Sequence, residues 1–134
     1  MALRYLLDTN VLSGLVRRPH GEVANRIAEV GGEAVCTSLV VAGELRFGAA
    51  KSGSEKLRAQ VEAILGALEV LPLDPPVDQA YADIRHALEC AGQPIDPNAL
   101  WIAAHARSLD LTLVTGNLAE FQRVPRLAVE NWLD

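Results

Sequence analysis

The sequence is poor in cysteine and has no long apolar run, and each of these absences excludes a class of protein. Its two cysteines, Cys36 and Cys90, lie in apolar segments without paired spacing. They therefore predict buried, reduced thiols rather than a disulfide framework. No apolar run approaches the roughly 20 residues that cross a bilayer. Arg4 and Asp8 interrupt the N-terminus too early for a secretory signal. These features favour a cytoplasmic protein without a membrane anchor.

An excess of basic charge is also missing. The 12 lysines and arginines are outnumbered by 17 aspartates and glutamates, for a net charge of −5. This balance is unlike that of proteins whose surface follows nucleic-acid phosphates. It does not exclude a nuclease, because a cluster of carboxylates adds negative charge that bound divalent cations reverse locally.

Several familiar catalytic patterns are absent as well. There is no glycine-rich phosphate loop, and no histidine has zinc-like spacing with a cysteine. Ser13 and Ser38 have no histidine and acid arranged near them in sequence, so a serine hydrolase is not supported. We therefore interpret His20, His86 and His105 as structural or surface residues.

What the sequence does contain is an alternation of short apolar runs and amphipathic segments. Such alternation without tight hairpin signals predicts a parallel sheet covered by helices on both faces. We expect a single α/β domain over residues 1–134, with a central sheet of four to five strands. The predicted strands cover residues 5–7, 34–36, 70–71 and 111–114, with a possible edge strand at 127–129.

The first predicted strand ends abruptly at Asp8. Asp8, Thr9 and Asn10 can each cap the helix that follows, and that reading alone would explain them. However, open α/β sheets bind ligands just outside the carboxyl ends of their strands. Asp8 therefore becomes a candidate site residue if carboxylates from distant segments meet it.

Glu44 is a second unusual carboxylate. It lies at helical spacing from Val40, Val41 and Gly48, so it interrupts the inward face of its helix. An unpaired carboxylate facing a core is disfavoured unless something compensates it, and a metal ion is one such partner. The alternative is that Glu44 lies at the edge of this face and reaches water.

Three further polar residues follow predicted turns. Asp96 precedes Pro97, which is a standard helix start and needs no further explanation. Asn117 and Glu120 follow the fourth predicted strand. Each is ordinary alone, but their strand ends at the same edge of the sheet as the strand before Asp8.

Three segments together resemble one family. They are LLDTNVL, SLVVAGELRFGAAKS and GQPIDPNALWIAAHARSLDLTLVTGNLAEFQRVPRLAVENW. In order and spacing they are similar to the PIN-domain ribonucleases, specifically the VapC-type toxins of bacterial type II toxin–antitoxin pairs. The resemblance covers nearly the whole chain. It implies a PIN domain that binds Mg²⁺ or Mn²⁺ through acidic residues and hydrolyses RNA phosphodiester bonds.

The resemblance also implies roles for individual residues. Asp8 matches the first catalytic aspartate of the family, which is a metal ligand. Thr9 matches the hydroxyl residue that follows this aspartate. Glu44 matches the glutamate of an ELxxG segment, which is also expected to bind the metal. Asn117 and Glu120 match the polar and acidic positions of the last motif. One or two cations are compatible with this set.

Position 99 departs from the family pattern. Relatives carry an aspartate where this chain has Ala99, and that aspartate is expected to be a third catalytic metal ligand. Ala99 implies weak metal binding and little activity. The explanations are an alanine introduced to make a lethal toxin producible, a natural loss of activity, or a partial takeover by Asp96. A naturally inactive module that only binds antitoxin or RNA remains the alternative function.

The resemblance further implies partners: an RNA substrate, a small VapB-type antitoxin that blocks the site, and a second copy of the chain. Arginines at six positions are candidates for contacts to RNA phosphates or to the antitoxin, namely Arg17, Arg18, Arg46, Arg85, Arg123 and Arg126. A haloacid-dehalogenase-like phosphatase is disfavoured, because its second aspartate would fall where this chain has Asn10.

Overall fold

A parallel sheet of five strands forms the centre of the fold. The structure, a computed structural model, describes residues 2–133. The strands are β1 (Tyr5–Leu7), β2 (Val35–Ser38), β3 (Glu69–Leu71), β4 (Thr112–Val114) and β5 (Val129–Glu130). They lie in the order β3-β2-β1-β4-β5, and every neighbouring pair is parallel. The predicted parallel sheet is confirmed, and its central strand, β1, is flanked by β2 and β4.

Helices connect the strands and flank the sheet. In the described part of the chain they are α1 (Thr9–Arg17), α2 (Glu22–Val30), α3 (Leu39–Ser52), α4 (Glu55–Ala67), α5 (Val77–Cys90), α6 (Pro97–Ser108) and α7 (Leu118–Phe121). Helix α1 contacts α2, α3 and α4, whereas α5 packs along α6. Within residues 2–133, no helix combines the length and the apolarity that spanning a membrane would require.

Local sequence signals explain where the helices begin and end. The Ser38 hydroxyl accepts a hydrogen bond from the Val40 N–H and so caps α3. Gly53 ends the same helix at φ +68°, a left-handed conformation that glycine adopts without strain. Ser54 then caps α4 through the Leu57 N–H. These caps fix the start of α3, which contributes Glu44 to the site, and the start of α4, which packs against α3.

The core surrounds the central strands. Leu6 and Leu7 of β1 and Leu113 and Val114 of β4 are fully buried. Such strands read as unbroken apolar runs because helices cover both faces of a parallel sheet. The middle of α6 is buried on all sides, and this fixes that helix firmly against the sheet.

Some expectations need correction. Strand β2 continues two residues further than predicted, and the last strand begins at Val129 instead of position 127. Cys36 is free and buried as predicted, and burial raises the pKa of its thiol to about 12. Cys90 is exposed, and its predicted burial is wrong because α5 ends at the surface there. His105 is buried, whereas His20 and His86 are exposed.

Candidate active site

A cavity of about 530 Å³ opens at the carboxyl edge of the sheet. The side chains that line it come from α1, α3, α6 and α7 and from the residues that directly precede α1, α6 and α7. They are Asp8, Thr9, Asn10, Ser13, Arg17, Glu44, Asp96, Ala99, Ile102, Asn117, Glu120 and Phe121. Every residue predicted for the catalytic or metal site therefore borders one cavity, although the residues come from distant parts of the chain; of the six candidate arginines, Arg17 borders it.

Asp8 is the most firmly held of these residues. It follows β1 directly and is 5% exposed. One carboxylate oxygen, Oδ1, accepts a hydrogen bond from the Thr9 N–H at 2.8 Å, which makes Asp8 the cap of α1. The other oxygen, Oδ2, accepts from the Thr115 hydroxyl at 2.7 Å. The Asp8 side chain thus caps α1 with one oxygen and is held at the cavity through the other.

The charge on Asp8 is costly in this position. Burial raises the pKa of its carboxyl above the ordinary value, because a carboxylate loses solvation there. The hydrogen bonds from Thr115 and Thr9 oppose this shift, and the nearby Glu44 carboxylate adds to it. Two carboxylates that repel each other across a cavity favour a cation between them.

Thr9 joins the two carboxylates. Its N–H donates to Asp8, and its hydroxyl donates to Oε1 of Glu44, 35 residues further along the chain. This is possible because α1 begins at the end of β1 while α3 begins at the end of the neighbouring strand β2. The geometry therefore brings Asp8 and Glu44 together.

Glu44 lies at the edge of the core face of α3. That face consists of Val41, Leu45 and Ala49, and Glu44 is half-buried beside it. Of the two alternatives raised by the sequence, the edge position is the one observed, but the carboxylate still turns into the cavity. Its second oxygen, Oε2, accepts a hydrogen bond from the side-chain amide of Asn98 at 3.1 Å.

The first turn of α6 contributes position 99 to the cavity. Ala99 is 7% exposed, so a longer side chain there would project among the carboxylates that line the cavity. Asp96 borders the cavity too, but its Oδ2 accepts hydrogen bonds from the Asn98 N–H at 3.0 Å and the Ala99 N–H at 3.3 Å. Asp96 therefore caps α6. Its Oδ2 bonds the helix backbone, so this oxygen is less available to replace the metal ligand expected at position 99.

The turn between β4 and α7 completes the cavity. The Thr115 hydroxyl that holds Asp8 also accepts the Asn117 N–H at 3.0 Å. The side chain of Asn10 accepts the Gly116 N–H at 3.0 Å. These bonds attach the turn to the start of α1, and they position Asn117 and Glu120 at the cavity wall.

The donor set can be compared with what a divalent cation requires. Mg²⁺ takes oxygen ligands and is often held by one or two carboxylates with retained waters. Asp8 and Glu44 offer such oxygens, so the chemistry of the cavity fits a hard cation. Within residues 2–133, no three histidine, cysteine, aspartate or glutamate side chains converge as a metal-binding group. Ala99 occupies the position where the family resemblance implies a third carboxylate.

Sequence reasoning missed the residues that hold the carboxylates in place. Thr115 is fully buried and Asn98 is exposed, yet each donates to one of the two carboxylates. A polar residue directly after a buried strand was a usable signal for Thr115. No signal of that kind marked Asn98, since its partner lies 54 residues away on another helix.

Comparison with known proteins defines the class of domain first. The chain matches the PIN domain family over residues 5–127. It is 38% identical to the "Ribonuclease VapC2" of Haemophilus influenzae, with 98% of this chain and 99% of the relative covered. It is 34% identical to the "tRNA(fMet)-specific endonuclease VapC" of Salmonella typhimurium, with 97% and 98% covered.

A solved structure agrees with these sequence relatives. The structure described as DNA-bound VapBC from Salmonella typhimurium superposes with a TM-score of 0.92 at 34% identity, covering 98% of this chain and 99% of the other. The chain therefore belongs to the PIN-domain family, within its VapC-type branch.

Proposed function

We propose that this chain is the toxin of a type II toxin–antitoxin pair and that its catalytic cavity, defined by the lining residues above, hydrolyses RNA phosphodiester bonds. The observation that carries the proposal is the contact of Thr9 with both Asp8 and Glu44. It places two carboxylates from neighbouring strand ends in one cavity. The ribonuclease names of relatives that cover nearly the whole chain support the same activity.

In this proposal Mg²⁺ or Mn²⁺ would be held by Asp8, Glu44 and, in relatives, a carboxylate at position 99. When bound, such a cation supplies an activated water and stabilises charge on the phosphate. Thr9 and Thr115 keep the Asp8 carboxylate at a fixed orientation, and Asn98 does the same for Glu44. Asn117 and Glu120, which also line the cavity, would orient water or a second cation.

Ala99 determines how active this chain is as written. Loss of one carboxylate removes a ligand and a full negative charge, so the affinity for the cation falls and cleavage is nearly abolished. A chain that binds antitoxin or RNA without cleaving it is the second candidate function. Ala99 and the lack of a third converging carboxylate within residues 2–133 are the observations that favour it.

Membership of the VapC-type branch also suggests binding partners for this chain. We propose a small antitoxin that covers the catalytic cavity, a second copy of this chain, and action in the cytoplasm. Leu39 and Phe47 of α3 are 50% and 68% exposed, so this helix offers apolar surface to a protein partner. For the RNA, transfer RNA is the first class to test, because one relative is named for it.

The test is RNA cleavage by the Ala99→Asp protein. We expect this variant to cut members of a transfer, ribosomal and messenger RNA panel in Mg²⁺ or Mn²⁺, and to stop when EDTA is added. Activity should exceed that of the chain as written by more than about a hundredfold. A folded Ala99→Asp protein that cuts none of these RNAs would overturn the catalytic proposal.

A further inference from the structure

Three cavities of the molecule meet at one side chain. Arg17, the last residue of α1, borders the catalytic cavity. It also borders an apolar groove of about 410 Å³ between α1, α3 and α4, and a cavity of about 270 Å³ beside α2. A ligand that leaves the catalytic cavity along α1 therefore passes Arg17.

The charged side chains that line the cavity next to Arg17 are mainly negative. Four carboxylates line the catalytic cavity, from Asp8, Glu44, Asp96 and Glu120, and among its described lining residues Arg17 is the one cation. Its side chain is exposed and, in residues 2–133, makes no hydrogen bond or ion pair. An unpaired guanidinium beside an acidic cavity suits an anion that extends beyond the cavity, since its planar donors match phosphate oxygens.

Helix geometry relates Arg17 to the carboxylates. Thr9, Ser13 and Arg17 are spaced by four residues, so they share one face of α1. Arg17 lies about 12 Å from Thr9 along the helix axis. Side chains of a helix lean toward its N-terminus, so the guanidinium points back toward the cavity. With this separation, Arg17 is placed to meet a phosphate next to one bound beside Thr9.

We propose that Arg17 binds a backbone phosphate of single-stranded RNA next to the phosphate that is cleaved, and that the strand leaves the catalytic cavity along the Thr9–Ser13–Arg17 face of α1. The inference rests on the proposed ribonuclease function. It makes Arg17 a substrate-positioning residue, whose effect is on RNA binding and not on the chemical step.

The chain as written is a suitable reagent for the binding test, because Ala99 keeps cleavage low. The probe is a short, fluorescein-labelled single-stranded RNA of mixed sequence in Mg²⁺, titrated by fluorescence anisotropy at several salt concentrations. We expect Arg17→Gln to weaken binding about tenfold at low salt. The slope of log K against log salt should fall by about 0.7, the contribution of one phosphate contact on a single strand.

Arg4→Gln is the matched control. Arg4 directly precedes β1, so it lies at the amino edge of the sheet, opposite the cavity, and its side chain stacks on Tyr5. The control removes the same charge and should leave the salt slope unchanged. If Arg17 only stabilised the C-terminal end of α1, its variant would lower the melting temperature without changing the slope. Equal slopes for the two variants, or no salt-dependent RNA binding by the parent chain, would overturn the inference.

Steady-state kinetics in the Ala99→Asp background separate this inference from the proposed function. Arg17→Gln should raise KM about tenfold and leave kcat nearly unchanged, as expected for loss of uniform binding. If the Ala99→Asp protein cleaves RNA and Arg17→Gln leaves KM unchanged, only the role of Arg17 fails. If Arg17→Gln weakens an antitoxin complex but not RNA binding, Arg17 belongs to the antitoxin surface. If the Ala99→Asp protein does not cleave RNA, the proposed function itself fails.

Discussion

Helices α1 and α6 begin in the same way, with an aspartate whose side chain caps the first turn. Asp8 accepts the Thr9 N–H before α1, and Asp96 accepts two N–H groups before α6. The two starts differ in their surroundings. Asp8 follows the central strand and is 5% exposed, whereas Asp96 follows a loop and is exposed.

The difference shows what makes a capping aspartate a candidate catalytic residue. A cap alone needs one oxygen, and Asp96 uses one. The second oxygen of Asp8 is held by Thr115, which directly follows the neighbouring strand β4, and burial raises the pKa of Asp8, with a smaller contribution from Glu44. The local sequence pattern is the same in both places, so tertiary surroundings make the distinction.

The largest expected effect comes from Asp8→Asn in the Ala99→Asp background. Cleavage should fall by more than about a hundredfold, because a neutral amide is a poor ligand for a hard cation. Without metal, the variant should be more stable at neutral pH by about 0.5–2 kcal/mol, because the buried charge is removed. RNA cleavage and urea unfolding measure the two effects.

The pH dependence of this stability difference provides a check on its cause. Because the pKa of Asp8 is raised in the folded state, the folded protein takes up a proton at higher pH than the unfolded chain does. As pH falls through that folded-state value, the parent gains stability relative to the Asp8→Asn variant and the difference shrinks. A difference that stays constant down to the ordinary aspartate range would contradict the account.

Thr115→Val should have the next largest effect. The valine keeps the shape but no longer donates to Asp8 or accepts the Asn117 N–H. We expect Mn²⁺ affinity and cleavage in the Ala99→Asp background to fall about 10- to 100-fold, as for other residues that orient metal ligands. Calorimetric titration of Mn²⁺ measures the first quantity. Thr112→Val, three residues earlier at the start of β4 and not bonded to Asp8, is the control and should leave both quantities nearly unchanged.

Asp96→Ala tests the other half of the comparison. Loss of this cap should lower the free energy of unfolding by about 1 kcal/mol, the usual cost of removing an N-cap. Cleavage by the Ala99→Asp protein should change only a few-fold, because Asp96 acts on the backbone of α6. A loss of activity as large as that of Asp8→Asn would show instead that Asp96 serves the metal.

Protonation of His105, which lies near the C-terminal end of α6, should have a smaller effect on the stability of the protein. Its Nδ1 lies 2.8 Å from the Ser38 hydroxyl, the cap of α3, and a hydrogen bond also joins the histidine to the Pro72 carbonyl. Burial lowers the pKa of this histidine, opposed by the Pro72 carbonyl and by Asp74. Stability should therefore be lost as pH falls below about 6.5, with a slope of at most about 1.4 kcal/mol per pH unit.

The pH dependence of stability should be compared between the parent protein and the His105→Gln variant. The variant should lose less stability than the parent between neutral pH and pH 5, measured by urea unfolding at each pH. Parallel pH profiles for the two proteins would show that His105 does not stay neutral in the folded state.

The sequence was informative where the signal is local. The end of β1 at Asp8 depends on residues within a few positions of each other, and it was predicted. The burial of Cys90 was predicted wrongly, because local apolarity does not reveal that α5 reaches the surface at that end. The partners of the two carboxylates were missed for a related reason. Thr115 reaches Asp8 because β4 lies beside β1, and Asn98 reaches Glu44 because α6 crosses α3.

The central claim is that Asp8 and Glu44 share a divalent cation with a carboxylate at position 99. The most direct measurement is a crystal structure of the Ala99→Asp protein grown with Mn²⁺, using anomalous scattering to locate the metal. We predict a strong peak within about 2.2 Å of oxygens from Asp8 and from the new side chain at position 99, with Glu44 bound directly or through water. A well-ordered cavity without such a peak, or Mn²⁺ bound only elsewhere on the protein, would contradict the account.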